Sequence, residues 1–165
     1  KKAPDKNLYF TEQSIGTWNY QSFGQSLMSE MKNTCIGTVT RWCKAVIVWN
    51  FMLDENGGPH GGPGACATCY GAVDISSKDY ITLNKRSHYY VIGHLSKALK
   101  AGSTRIATSG YMPTGLSVVA SENLDGTYGL VLFNENAEGL TFVIEHNGKH
   151  FEIKLPAESI TSCIL

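Results

Sequence analysis

The sequence predicts an α/β segment followed by an all-β segment, and three observations carry that reading. Two compact apolar runs, residues 8–11 and 45–51, flank a stretch with helical periodicity. A further periodic stretch, residues 89–99, follows a long glycine-rich loop. From residue 104 onward there are only short β-forming runs separated by turn signals. The change of texture places the boundary between residues 102 and 103.

Leu8-Tyr9-Phe10-Thr11 reads as a buried strand ending at Glu12, opened by Pro4-Asp5. Phe23, Leu27 and Met31 recur every four residues, and Ile36, Val39 and Trp42 every three, so each set shares one helix face. The two helical pieces are expected to separate near Asn33. Residues 45–51 read as a second strand of the kind buried on both faces of a parallel sheet. Residues 53–72 form a long loop holding Gly-Gly-Pro-His-Gly-Gly-Pro-Gly at 57–64. Loops of that length are more often functional than idle. This one lacks the helix start with Lys-Ser/Thr that a phosphate cradle needs. The helix over 89–99 puts Tyr90, Val91, His94, Leu95 and Ala98 on one side and stops at Gly102.

The rest is a meander of about six short strands, near residues 104–107, 116–121, 128–133, 140–146, 150–155 and 160–165, which suggests a small antiparallel sandwich. Asn123-Leu124-Asp125-Gly126 and Asn147-Gly148 supply its hairpin turns.

Composition bounds the function classes. The chain has 165 residues, 42% hydrophobic and 17% charged, the make-up of an ordinary globular domain. Fourteen Lys and Arg balance 14 Asp and Glu, and the basic run is no longer than Lys1-Lys2. That excludes a large electrostatic footprint for nucleic acid or an anionic membrane. The longest apolar run, residues 45–53, falls far short of the ~20 residues of a membrane span and contains Asn50. The opening Lys-Lys-Ala-Pro has no initiator Met and no apolar signal region, so the chain is expected to be trimmed, processed or cut from something larger.

Five cysteines leave at least one unpaired within the chain. Cys66 and Cys69 form the one suggestive spacing; a loop-stapling disulfide or plain buried thiols lead, then a metal site, then a redox centre. His88, His94, His146 and His150 have no ligand spacing, and structural roles are expected for them; no metal site and no cofactor are expected. Ser14 and Ser22 lack a Gly-x-Ser-x-Gly context, so serine hydrolase chemistry has no support.

Glu12 closes a strand of a β/α unit, where ligands gather beyond the carboxyl ends of strands. The alternative is a surface carboxylate capping a loop or helix start. Trp49-Asn50 closes the next strand, and an aromatic face with an amide beside it suits a sugar, whose C–H groups pack on the ring. The plainer reading has Trp49 filling the core and Asn50 closing a turn. His60 in the loop reads as a solvent or rim residue.

Phe10-Thr11-Glu12-Gln13-Ser14, Trp42, Val46-Ile47-Val48-Trp49-Asn50 and Leu53-Asp54-Glu55-Asn56-Gly57-Gly58-Pro59 occur in an ordered series. Tyr89-Tyr90-Val91-Ile92-Gly93-His94-Leu95-Ser96-Lys97, Ala101-Gly102-Ser103-Thr104-Arg105-Ile106 and Leu155-Pro156-Ala157-Glu158-Ser159-Ile160-Thr161 continue it. Over nearly its whole length the chain thereby resembles the C-terminal portion of glycoside hydrolase family 30, which contains glucosylceramidases and microbial β-1,6-glucanases.

The resemblance implies the C-terminal strands and helices of a (β/α)8 barrel over residues 1–102, followed by a β-sandwich side domain over 103–165. It implies retaining hydrolysis of a β-linked glycan, with β-1,6-glucan favoured and glucosylceramide-like substrates open, by a secreted, periplasmic or cell-surface enzyme. Glu12 matches the nucleophile at the seventh barrel strand, Trp49 the aromatic wall at the eighth, and Ser14 a residue beside the nucleophile. Asn50 is carried with Trp49, and the loop with His60 resembles one bordering the acceptor side.

The family's acid/base, in an Asn-Glu-Pro type motif of the fourth strand, has no counterpart here. One carboxylate cannot both attack the anomeric carbon and protonate the leaving oxygen. The expected partner is therefore the upstream half of the same enzyme, and the isolated chain is expected to be inactive. The competing reading is a non-catalytic carbohydrate-binding or structural sandwich module.

Overall fold

The computed structural model describes Ala3, residues 5–18 and residues 22–165; Pro4, expected to open the first strand, lies outside them. Two compact units divide at Gly93/His94.

The first unit begins with β1 (Leu8–Ser14), which pairs in parallel with β2 (Cys43–Trp49). Between them α1 (Phe23–Glu30) runs through a π-helical stretch (Met31–Ile36) into α2 (Gly37–Val39). Ser22 starts α1 with a capping box: its hydroxyl accepts from Gln25 N at 3.3 Å, while Gln25 Oε1 accepts from Ser22 N at 3.0 Å. The expected break near Asn33 is instead the π-helical stretch, and backbone bonding continues through it. Thr38 and Thr40 hydroxyls donate to carbonyls of the preceding turn, Thr34 O at 2.6 Å and Ile36 O at 2.6 Å. Trp42 leaves the helix altogether: it stands exposed in the turn before β2 with φ 72°.

The two strands are not buried on both faces. Leu8, Tyr9, Ile47 and Trp49 are all about half exposed, because among the described residues β1 and β2 pair only with each other. The core of this unit is built from Met31, Cys35 and Ile36 of the π-helical stretch together with Leu53, Val73 and Val91.

The loop expected over residues 53–72 is bounded by the strands of a small sheet that the sequence did not indicate. β3 (Met52–Asp54) pairs in parallel with β4 (Val73–Ile75), which pairs antiparallel with β5 (Leu83–Lys85). Three-residue strands offer no periodicity to read; polar bonds set this sheet. Buried Asp74 accepts from Arg86 Nε at 2.8 Å and Asn84 Nδ2 at 3.2 Å.

Helix α3 (Ser87–Ala98) crosses the division, and Gly102, at φ 82°, ends its outgoing turn as the sequence indicates. The second unit holds β6 (Thr104–Ile106), β7 (Leu116–Glu122), β8 (Tyr128–Asn134) and β11 (Ser159–Ile164) in an antiparallel sheet, order β11-β8-β7-β6. β9 (Leu140–His146) and β10 (Lys149–Leu155) form the hairpin turned by Asn147 and Gly148, both at positive φ. Leu116, Leu132 and Leu155 are buried together, and Val118, Leu140, Phe142, Ile144 and Ile153 pack on them from sheet and hairpin alike. Asn134, fully buried, donates to Glu138 O at 2.9 Å and Pro156 O at 2.8 Å and accepts from Asn136 N at 3.0 Å.

Candidate functional site

Because β1 and β2 run parallel, their carboxyl ends lie at one edge. Ser14 is the register partner of Trp49, and Gln13 of Val48. The strand therefore runs two residues past Glu12, where the sequence suggested its end. Phe10 pairs with Val46 and Gln13 with Val48, so three steps on β1 face two on β2, and Glu12 lies inside that bulge. Bulges bend a strand and re-aim its side chains, and they recur beside active sites. Glu12 is exposed and stands two residues before Ser14 on the same strand.

Trp49 presents a ring in a residue 48% exposed, a free aromatic surface at the strand end rather than a core filler. The Trp49–Asn50 peptide is cis. Asn50 is half-buried, and its backbone carbonyl accepts from Ala72 N at 2.9 Å. Its side-chain oxygen is buried with no hydrogen-bond partner among the described residues. The structure thus brings Glu12, Ser14, Trp49 and Asn50 to one edge. His60 it leaves exposed on the glycine-rich loop.

That loop is anchored at both ends. Asp54 Oδ1 accepts from Asn56 N at 2.8 Å and Gly58 N at 2.7 Å, so Asp54 shapes the turn that opens it. At the far end Cys66 and Cys69, Cα atoms 5.6 Å apart, are joined in a disulfide; Cys35, Cys43 and Cys163 are free. Residues 68–72 then run across both strand ends, a segment the sequence reading left without a role. Its visible signal was the Cys-x-x-Cys spacing. Behind it Arg86 lies 3.9 Å over the Tyr70 ring while paired with Asp74.

A separate group of polar side chains is buried on the helices themselves. Ser87 Oγ donates to Glu30 Oε1 at 2.8 Å, joining the end of α1 to the start of α3. Burial pushes the Glu30 carboxyl up to about 7, against the opposing Ser87 bond. Burial, reinforced by Glu30, pushes the Cys35 thiol up to about 12. His88 is held down to about 4 by burial and then by the Arg86 charge. Among the described residues no group of three or more His, Cys, Asp and Glu side chains can hold a metal ion, and no helix is long and apolar enough to cross a membrane.

Comparisons with known proteins bear on the family and the fold. A family profile described as "Glycosyl hydrolase family 30 beta sandwich domain" matches residues 102–163. The chain is 30% identical over 135 residues to an endo-1,6-β-D-glucanase of Aspergillus fumigatus, 79% of this chain and 27% of that protein. It is 28% identical over 138 residues to the lysosomal acid glucosylceramidase of Mus musculus, 82% of this chain and 24% of that one. A solved endo-β1,6-glucanase superposes with a TM-score of 0.91 at 48% identity, covering 96% of this chain and 35% of the other. SrfJ from Salmonella typhimurium shares the fold, with a TM-score of 0.84 at 23% identity over 98% of this chain and 35% of its own. The chain spans about a quarter of the curated relatives it matches and about a third of these solved chains.

Proposed function

The chain belongs, as a C-terminal portion, to glycoside hydrolase family 30, and on that premise we propose that it supplies the nucleophile to a retaining β-glycosidase. Glu12 attacks the anomeric carbon and forms the glycosyl-enzyme; a second carboxylate, about 5–5.5 Å away in such enzymes, protonates the leaving oxygen and then activates water. The observation that carries this reading is the edge itself. A glutamate in a strand bulge lies beside a serine and an exposed tryptophan at the ends of two parallel strands.

The Trp49 ring packs on pyranose C–H groups, Ser14 and Asn50 orient hydroxyls, and His60 borders the acceptor side. β-1,6-Glucan is the favoured substrate, supported by the names of the fungal relative and of the 48%-identical solved chain. Glucosylceramide-like substrates are the second candidate, on the mouse relative.

Residues 1–102 contribute the last strands and helices of a (β/α)8 barrel, and 103–165 form the sandwich side domain. The half-exposed Leu8, Tyr9 and Ile47 support an upstream half as the partner that covers β1 and β2 and brings the acid/base. The Cys66–Cys69 disulfide supports a secreted, periplasmic or cell-surface location.

The test compares the protein carrying this chain plus its upstream segment with the 165-residue chain alone. The longer protein hydrolyses β-1,6-glucan, the short chain does not, and Glu12→Gln lowers kcat in the longer protein by roughly a thousandfold or more. A Glu12→Gln enzyme with wild-type kcat overturns the assignment.

A further inference from the structure

Past Ser14 and Trp49 the parallel ladder stops, yet the backbone there is not left open. Tyr70 N donates to Ile15 O at 2.7 Å, Thr17 N to Thr68 O at 2.9 Å, and Gly16 and Cys69 form an antiparallel bridge. On the other side Asn50 N donates to Tyr70 O at 3.5 Å, Ala72 N to Asn50 O at 2.9 Å and Val73 N to Phe51 O at 3.1 Å. The strap formed by residues 68–73 therefore bonds the tails of both strands. Cys69, buried at the bridge, is tied back to Cys66. Tyr70 is held from behind by Arg86, whose own backbone N donates to Ala72 O at 3.0 Å.

Two glycines make the contact close. A Cβ on Gly71 would lie 2.7 Å from Leu53 N and 2.8 Å from Val73 O. One on Gly16 would meet the Thr68 carbonyl and the Trp18 ring.

We propose that the disulfide-closed strap is a positioning element of the site, fixing the Ser14–Trp49 edge against Glu12 through residues 15–17 and 50–51. This rests on the assignment of Glu12 as nucleophile. Cys66 and Cys69 touch no substrate in this account; they act through the strand ends.

The test uses the protein carrying this chain with its upstream segment, on β-1,6-glucan. The double variant C66S/C69S is assayed for kcat and KM, and wild type is assayed after dithiothreitol and again after oxidised glutathione. Reduction places two electrons and two protons on the cysteine pair while dithiothreitol closes to its cyclic disulfide. Glutathione disulfide reverses it, leaving as two thiols.

The expected result is a fall in kcat of roughly 10- to 100-fold, the scale of a sub-ångström to ångström misplacement. KM stays within about threefold, as for an interaction that acts on the transition state. Reoxidation restores kcat. A staple that only stabilises would lower the melting temperature and leave kcat of the folded enzyme unchanged, and that outcome overturns the proposal.

Gly16→Ala, which wedges the bridge with the disulfide intact, carries the same expectation and serves if C66S/C69S does not fold. Glu12→Gln in the same assay separates the two ideas. If it is inactive while the folded C66S/C69S enzyme matches wild type, only the strap proposal falls. If Glu12→Gln is fully active, the nucleophile assignment falls and the strap proposal with it.

Discussion

Glu30 offers a sharp test of the packing at the end of α1. Its carboxyl is 5% exposed, bonded by Ser87 Oγ through Oε1, with Oε2 unpartnered among the described residues. Burial raises it from 4.5 to about 7. Between those two values the unfolded chain has already released its proton while the folded chain still holds one, so stability falls as pH rises across that window. Below it both states are protonated and nothing is lost; above it the loss is complete. At about 1.4 kcal/mol per pH unit of displacement the full loss is on the order of 3 kcal/mol.

Glu30→Gln keeps the acceptor for Ser87 and removes the buried charge. Urea titrations of the variant against wild type should show stabilities within about 0.5 kcal/mol at pH 4, where both side chains are neutral. At pH 8 the variant should be the more stable by about 3 kcal/mol. An offset that is equal at the two pH values, or a variant less stable at pH 8, would refute the reasoning: the carboxylate would then be satisfied in its charged form.

Other consequences follow from the same burial and bonding. His88, depressed from 6.5 to about 4, is the mirror case: stability is lost as pH falls across that window, and His88→Phe should flatten that limb of a thermal-midpoint profile. Cys35, with its thiol pushed up to about 12 and fully buried, should stay unmodified by iodoacetamide in the native protein while Cys43 and Cys163 label first, read by peptide mass mapping. Gly129→Ala would drive a Cβ into the Ala98 carbonyl, and a loss of about 2–4 kcal/mol is expected in a denaturant titration of the second unit. Arg86→Ala strands the buried Asp74 carboxylate, and thermal unfolding should report a loss of about 3–5 kcal/mol.

The parts of this fold legible in the sequence are those written in local chemistry. Asn147-Gly148 demands positive φ and turns its hairpin where it stands. The short β-forming runs of β7 to β11, set between turn signals, announce strands, and Gly102 stops α3. What stayed hidden is written in distant contacts. β3, β4 and β5 are too short for periodicity and are registered by Asp74 reaching Arg86 and Asn84. Trp42 fits a helical spacing, yet the helix ends three residues earlier and leaves it in a turn.

At the site, Glu12 and Trp49-Asn50 could be named as candidates because strand ends of parallel sheets gather ligands, whereas Ser14 was named only through the family resemblance. The bulge around Glu12 was not, since it arises from unequal spacing across two strands whose paired residues are 35 or 36 positions apart. The strap over residues 68–72 showed only its Cys-x-x-Cys spacing, because the bonds that tie it to the strand ends are backbone to backbone.

The most direct test of the central claim is to trap the intermediate. A 2-deoxy-2-fluoro-β-glucoside with a good leaving group is incubated with the protein carrying this chain and its upstream segment, and the product is digested and mapped by mass spectrometry. One fluoroglucosyl adduct is expected, on Glu12, absent from Glu12→Gln. An adduct on another carboxylate, or turnover with inversion and no adduct, would contradict it.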